Sequence, residues 1–163
     1  QICKKFQITD KQIFRSLNSY KGLKFRKEII YSRKDLSIIN DSKSTSFSST
    51  IGLLSSYKNI YWIVGGMFKK GDKFIIDRKY YKNITAYIVG KNKDFFVRQF
   101  KNKIKYKYFT NLKNAISKIK VEIKNDKKNK TILFSPSAAS FDQYKNFEQR
   151  GEYFNKLARI LTI

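Results

Sequence analysis

A chain of 163 residues with 41% hydrophobic and 16% aromatic content is long and apolar enough to fold as one compact domain, which excludes a disordered tail. It has no histidine and one cysteine, so histidine-dependent catalytic triads, histidine-ligated metal sites, zinc knuckles and internal disulfides are excluded. The 36 basic and 12 acidic residues give a formal net charge of +24, which is typical of nucleic-acid-binding proteins.

Genome composition explains this charge better than nucleic-acid binding does. The lysines are spread along the chain, and the other common residues also have AT-rich codons, so we expect no specific nucleic-acid partner. The charge does attract anionic ligands such as nucleotides and carboxylates. No apolar run reaches about 18 residues and Cys3 is alone, so we expect a cytoplasmic protein without membrane insertion. Because the chain begins with Gln1, we expect it to be part of a longer protein.

The first third of the chain predicts a helix, a hairpin and a second helix. In the predicted first helix, Thr9 or Asp10 is the cap, and Ile13, Phe14 and Leu17 form an apolar stripe. Gly22 follows the end of this helix. Two strand-like runs, Phe25–Tyr31 and Leu36–Asn40, flank a turn at 32–35 and predict a hairpin. A polar turn at 41–45 then leads into a helix from about residue 47.

The remainder predicts buried strands that alternate with amphipathic helices. The continuous apolar runs are Asn59–Val64, Ile84–Val89 and Thr131–Phe134. The helices run from Leu112 to Ile123 and from about Glu152 to Leu161. This alternation predicts an α/β fold with a mostly parallel sheet. Such sheets bind ligands at the carboxyl ends of their strands, which here are followed by polar or glycine-rich turns after Asn40, Val64, Val89 and Phe134.

Three of these turns suit ligand binding, and each also has a simpler interpretation. The turn at 40–45 precedes a helix N-terminus, which favours anions, although its side chains are also ordinary helix caps. The stretch 65–72 has paired glycines but lacks the residues that a phosphate loop needs after its last glycine, so a plain glycine turn is equally compatible. Residues 135–151 mix small residues with aromatics, which more often belong to a core.

A fourth segment alternates lysine with aromatic residues. Tyr106 and Tyr108 could stack on single-stranded nucleic acid. An amphipathic edge strand protected by lysines is the favoured interpretation.

Four segments, in this order, resemble the C-terminal domain of the Mur ligases, in the form found in the D-glutamate-adding members. They are GLKFR (22–26), INDSKSTS (39–46), the GG-x-x-K element (65–69) and SPSAASFDQYKNFEQRG (135–151), the last being the most specific. The resemblance covers nearly the whole chain. It implies that residues 1–20 are the tail of a central ATPase domain and that 21–163 form a Rossmann-like, three-layer α/β domain with about six strands, one of them antiparallel.

The resemblance also implies a function in peptidoglycan precursor synthesis. The complete ligase would activate UDP-N-acetylmuramoyl-L-alanine with ATP as an acyl phosphate, and this portion would bind D-glutamate and close over the ATP. Carried over residue by residue, the D-glutamate pocket is Thr45, Lys69, Ser140, Phe141 and Phe147, the nucleotide contacts are Arg26 and Asp41, and the catalytic residue near the phosphates is Lys43. Mg²⁺ is implied, with its ligands in the central domain. We expect a monomer, and we expect these 163 residues alone to be inactive.

The chain departs from the family pattern at four positions. Phe25 replaces a histidine, Ala138 replaces a common cysteine, and Met67 and Phe68 replace more polar residues. Two alternatives stay open: a sister ligase that adds another amino acid to a similar acceptor, and a basic nucleic-acid-binding module.

Overall fold

In the computed structural model, which describes residues 2–33 and 35–162, six strands form one sheet flanked by helices. The strands are β1 (Glu28–Arg33), β2 (Leu36–Asn40), β3 (Ile60–Val64), β4 (Ile84–Val89), β5 (Lys105–Phe109) and β6 (Lys130–Phe134). The α-helices are α1 (Ile2–Lys5), α2 (Asp10–Ser19), α3 (Phe47–Ser56), α4 (Lys93–Phe100), α5 (Leu112–Lys124) and α6 (Phe147–Ala158), and 3₁₀ helices span Arg78–Asn83 and Arg159–Leu161.

The sheet has the strand order β1-β2-β6-β3-β4-β5. β1 pairs antiparallel with β2, and all other neighbouring strands are parallel. The predicted α/β class, the mostly parallel sheet and the single antiparallel strand are therefore confirmed. Because β6 lies between β2 and β3, the segments that follow these three strands emerge side by side at one edge of the sheet.

Apolar side chains cover both faces of the sheet, which explains why β3 is a continuous hydrophobic run. Ile60, Trp62 and Val64 enter the cluster shared with α3 and α4, whereas Tyr61 and Ile63 enter the cluster shared with α5 and α6. The first cluster is rich in aromatic rings, namely Phe47, Trp62, Phe74, Phe96 and Phe100. Two helical layers on one sheet confirm the three-layer architecture.

The predicted first helix forms, but none of its residues is buried in the described structure. Thr9 and Gln12 make a reciprocal capping box at its start. No residue of α2 is buried, and Phe14 and Leu17 are each 67% exposed. The apolar stripe of α2 therefore contributes nothing to this core.

Two boundaries differ from the predicted ones. β1 begins at Glu28 and not at Phe25, because Phe25 and Lys27 have φ angles of 60° and 50°, which a strand does not allow. α6 begins at Phe147, five residues before the predicted start near residue 152. The structure also contains α4 and the 3₁₀ helix at 78–83, which the sequence pattern does not indicate.

The lysine–tyrosine segment forms β5, which has a neighbour on one side only. Tyr106 and Tyr108 are 38% and 40% exposed, and Lys107 Nζ lies 2.5 Å from Glu122 Oε1 on α5. The edge-strand interpretation is confirmed. Within the described ranges, the structure contains no helix with the length and hydrophobicity needed to span a membrane.

Candidate functional site

Three segments meet at the carboxyl edge of the sheet, where β2, β6 and β3 end. We call them the β2 turn (41–46), the glycine turn (65–72) and the serine loop (135–146). The serine loop follows the middle strand of the three, so it lies between the other two. All three were singled out from the sequence, and the strand order accounts for their meeting.

The glycine turn is joined to the serine loop by backbone hydrogen bonds. Gly65 N–H donates to Pro136 O at 3.0 Å, and Met67 and Ala139 exchange two N–H···O bonds of 2.9 Å. Gly66 has φ +132°, and a Cβ on it would lie 2.5 Å from Ala139 O. The glycines are needed here for the approach of two backbones, as the interpretation of a plain glycine turn expects.

The glycine turn also reaches the start of α3. Ser46 occupies the N-cap position but makes no capping hydrogen bond with its side chain. Instead, Asp72 Oδ2 accepts from Phe47 N–H at 2.8 Å, so a residue 25 positions away supplies the carboxylate that a helix N-terminus favours. This contact joins the turn that carries Lys69 to the first residue of α3, two positions after Thr45.

Asp41 lies in the β2 turn, is only 3% exposed and links two neighbouring segments by hydrogen bonds. Its Oδ1 accepts from Lys27 N–H at 3.0 Å and its Oδ2 accepts from Ser135 Oγ at 2.7 Å. Burial raises the pKa of Asp41, while these hydrogen bonds and the charges of Lys27 and Arg26 act in the opposite direction. Asp41 therefore holds the loop of Arg26 and the serine loop together.

A chain of buried hydroxyls leads to that carboxylate. Oγ or Oγ1 atoms are 2.7 Å apart in the pairs Thr50–Ser135, Thr50–Ser137 and Thr50–Ser44. An ionised Asp41 can only accept, so Ser135 donates to it and Thr50 donates to Ser135. Ser44 and Ser137 must then donate to Thr50. Each hydroxyl in this chain therefore donates in one defined direction. The chain links α3, through Thr50, to both the β2 turn and the serine loop.

The N-terminal half of α6 packs on the β2 turn. Asn40 Nδ2 donates to Gly151 O at 2.9 Å, and Ser42 Oγ donates to Phe147 O at 2.8 Å. A Cβ on Gly151 would lie 2.4 Å from the ring of Phe25, which is 5% exposed. Phe25, the departure from histidine in the family pattern, thus fills the contact between its own loop and α6.

Arg150 of α6 is 3% exposed and binds two of the three segments. Its Nε donates to Ser42 Oγ at 3.2 Å, its Nη2 to Ser42 O at 2.6 Å and its Nη1 to Ala138 O at 3.0 Å. Burial lowers the pKa of Arg150 to about 10, and the charge of Asp142 acts against this shift. The guanidinium remains a cation at neutral pH.

The predicted site residues lie on the β2 turn, the glycine turn, the serine loop, the loop of Arg26 and the start of α6. Lys43 Nζ lies 4.4 Å from the centre of the Phe147 ring, a cation–π contact. Arg26, Lys43, Thr45 and Lys69 are exposed, Ser140 is 3% exposed, and Phe141 is 69% exposed. Exposed cations on these segments are suited to an anionic ligand.

Phe68, another departure, is explained by local packing. Its ring stacks on Phe95 of α4 with centroids 4.0 Å apart and planes 7° apart. Phe68 therefore joins the glycine turn to α4 through an aromatic contact.

Sequence reasoning assigned no role to Asp72, Thr50 or Arg150, although two of them lie within segments that it singled out. Among the described residues, no group of three or more His, Cys, Asp or Glu side chains is placed to hold a metal ion. The carboxylates of Asp41 and Asp72 at this edge already accept hydrogen bonds from the chain, and the exposed polar side chains beside them are cations and hydroxyls, which suit an anion.

No family model matches the chain. The UDP-N-acetylmuramoylalanine–D-glutamate ligase of Wolbachia sp. subsp. Brugia malayi is 36% identical over 156 residues, covering 96% of this chain and 31% of that protein. The ligase of the same name from Rickettsia conorii is 35% identical over 164 residues, covering 99% and 33%. The chain therefore spans about a third of the length of the curated relatives it matches.

Solved structures show the same fold. The MurF ligase of Thermotoga maritima in complex with ADP superimposes with a TM-score of 0.59 at 15% identity, covering 97% of this chain and 36% of that one. The murein peptide ligase Mpl of Psychrobacter arcticus gives a TM-score of 0.51 at 13% identity, covering 99% and 34%.

Proposed function

The chain belongs to the Mur ligase family, and on that premise we propose that it is the C-terminal, D-glutamate-binding and ATP-closing portion of the ligase that adds D-glutamate to UDP-N-acetylmuramoyl-L-alanine. Residues 21–163 are this domain in the proposal, and 1–20 are the tail of the central ATPase domain. The absence of any buried residue in α2 supports this boundary, because its apolar stripe needs a partner outside the described structure.

The observation that carries the proposal is the meeting of the β2 turn, the glycine turn and the serine loop at one edge of the sheet. These segments are distant in sequence and contain the residues that the family resemblance assigns to the site. They are held together by the Met67–Ala139 pairing, by the hydrogen bond of Asp72 to α3 and by the contacts of Arg150. Exposed side chains on all three segments can therefore reach one ligand.

D-Glutamate carries two carboxylates and one amine, so its receptor needs cations and hydroxyl donors. Lys69 supplies a charge, and Thr45 and Ser140 supply hydroxyls, for charge-assisted hydrogen bonds to the carboxylates. Phe141 and Phe147 form the apolar walls along the methylene groups. Lys43 above the Phe147 ring links this pocket to the adjoining phosphate side.

The nucleotide side consists of Arg26 and Lys43, with Asp41 beneath them. Both cations are exposed, and this chemistry suits phosphate groups. Since Asp41 is 3% exposed and bonded at both oxygens, its contribution is to hold the Arg26 loop against the serine loop. ATP supplies the phosphoryl group that activates the acceptor carboxylate, and the ligands for Mg²⁺ lie outside this chain in the proposal.

The chain's own contribution to the reaction is to position the amine. Binding both carboxylates of D-glutamate orients its amine toward the activated acyl carbon, and closure of the domain excludes water from that carbon. The 163 residues alone complete no catalytic cycle in this account, because the residues that transfer the γ-phosphate belong to the rest of the ligase.

Lys69→Ala in the complete ligase tests the pocket, with Lys70→Ala as the matched control. Both lysines are exposed in the same turn, and both changes remove one positive charge. Loss of a charge-assisted hydrogen bond predicts a rise of about 10-fold to 100-fold in the D-glutamate KM for Lys69→Ala, measured by ATP-dependent phosphate release. Lys70→Ala should change it by less than about two-fold. Equal effects of the two variants would contradict the assignment of Lys69.

A further inference from the structure

We propose that Arg150 is a positioning residue that aligns the phosphate side of the site with the amino-acid pocket. The inference rests on the proposed function, since it concerns how the two sides of that site are kept in register. Arg150 itself is only 3% exposed, so the proposed role is exerted through the segments that it binds.

The geometry that carries the inference is the pattern of acceptors around the guanidinium. Two of its nitrogens bind Ser42, which directly precedes Lys43, and the third binds Ala138, two residues before Ser140. One rigid, planar group therefore bridges the β2 turn to the serine loop. A shift of either segment would break at least one of the three hydrogen bonds.

The same group also controls the aromatic wall of the pocket. Ser42 Oγ accepts from Arg150 Nε and donates its own proton to Phe147 O, so its hydroxyl is fixed in one orientation. Phe147 lies one turn before Arg150 on α6, and its ring lies beneath Lys43 Nζ. The contact of Lys43 with Phe147 is thus held at the backbone of both residues.

Charge alone does not account for this arrangement. All three acceptors are neutral, and no carboxylate within the described ranges makes an ion pair with Arg150. A lysine would keep the positive charge but has one nitrogen, which cannot reach acceptors that the guanidinium fork meets from three separate atoms. The positions of the three acceptors therefore fit the planar guanidinium of arginine and not the single nitrogen of lysine.

The test uses the complete ligase with Arg150→Lys and Ser42→Ala, and with Arg98→Lys on the exposed surface of α4 as control. Misalignment of the two sides predicts that Arg150→Lys raises the D-glutamate KM and lowers kcat, with a combined loss of about 10-fold to 100-fold in kcat/KM. Ser42→Ala, which removes one acceptor but keeps the carbonyl, should give a smaller loss in the same direction. Arg98→Lys should match the wild type.

Thermal unfolding of each variant separates positioning from simple loss of fold. The inference holds when Arg150→Lys remains folded to within a few degrees of the wild type and loses kcat/KM. Wild-type kcat/KM in Arg150→Lys would overturn it, because charge without the fork would then suffice. If Arg150→Lys unfolds, Ser42→Ala decides, and wild-type kinetics in that variant would overturn the inference. A wild-type enzyme that does not use D-glutamate would instead overturn the proposed function.

Discussion

Replacing Gly66 by alanine should be among the most damaging single-methyl additions in the domain. The φ angle of +132° costs an alanine about 1–3 kcal/mol. The new Cβ would lie 2.5 Å from Ala139 O, so the glycine turn and the serine loop must move apart. That movement breaks the two backbone hydrogen bonds between Met67 and Ala139, which contribute about 1 kcal/mol each. The free energy of unfolding should therefore fall by about 3–5 kcal/mol.

Two other glycines provide controls for this prediction. Gly71 has φ +83°, and a Cβ on it would meet no atom within 4 Å, so Gly71→Ala should cost only the conformational strain, about 1–2 kcal/mol. Gly52 lies inside α3 with equally open space around it, so Gly52→Ala should stabilise the protein by about 0.5–1 kcal/mol.

Urea unfolding followed by tryptophan fluorescence measures all three variants. Trp62 is the only tryptophan in the chain and is fully buried, so its emission reports loss of the core. The midpoints should rank Gly52→Ala above the wild type, then Gly71→Ala, then Gly66→Ala. A Gly66→Ala midpoint no lower than that of Gly71→Ala would refute the reasoning, because the two segments would then not be held at the observed separation.

Two further predictions concern buried polar groups. Thr50→Val removes the central hydroxyl of the buried chain and takes one hydrogen bond from each of Ser44, Ser135 and Ser137, so it should cost about 2–3 kcal/mol in urea unfolding. Ser56→Ala, at an exposed position of the same helix, should cost less than about 1 kcal/mol. Burial alone would raise the pKa of Glu122, but hydrogen bonds from Lys107 and Tyr87 bring it below its usual 4.5. The carboxylate therefore stabilises the fold above pH 4.5, and the deficit of Glu122→Gln, about 1–2 kcal/mol at pH 7, should shrink as the pH falls below that value.

The sheet could be predicted from sequence because burial on both faces leaves a clear pattern. The run Ile60–Val64 is apolar at every position since alternate side chains enter different clusters, and an apolar run of this length between turns is typical of a central strand. The start of β1 could not be predicted in the same way. It depends on Phe25, whose positive φ angle is accompanied by packing against Gly151, a contact 126 positions away that leaves no local periodicity.

The candidate site also has a part that could be predicted from the sequence and a part that could not. Its three segments could be predicted because they follow strands, and the carboxyl edge of a parallel sheet collects such segments. The contacts that hold the segments together could not. Asp72 caps a helix 25 residues earlier in the chain, and Arg150 binds main-chain carbonyls, which any residue type can provide. Because almost every residue type has these backbone groups, the residue types at positions 42, 47 and 138 give no sign that Arg150 or Asp72 binds there.

The most direct test of the account is the amino-acid dependence of the complete ligase. We would measure ATP-dependent phosphate release with UDP-N-acetylmuramoyl-L-alanine and a panel of D- and L-amino acids. The account predicts release with D-glutamate alone, because the proposed pocket pairs Lys69 and two hydroxyls with two carboxylates in one stereochemical arrangement. Release only with another amino acid would indicate a sister ligase, and no release with any amino acid would contradict the proposed function.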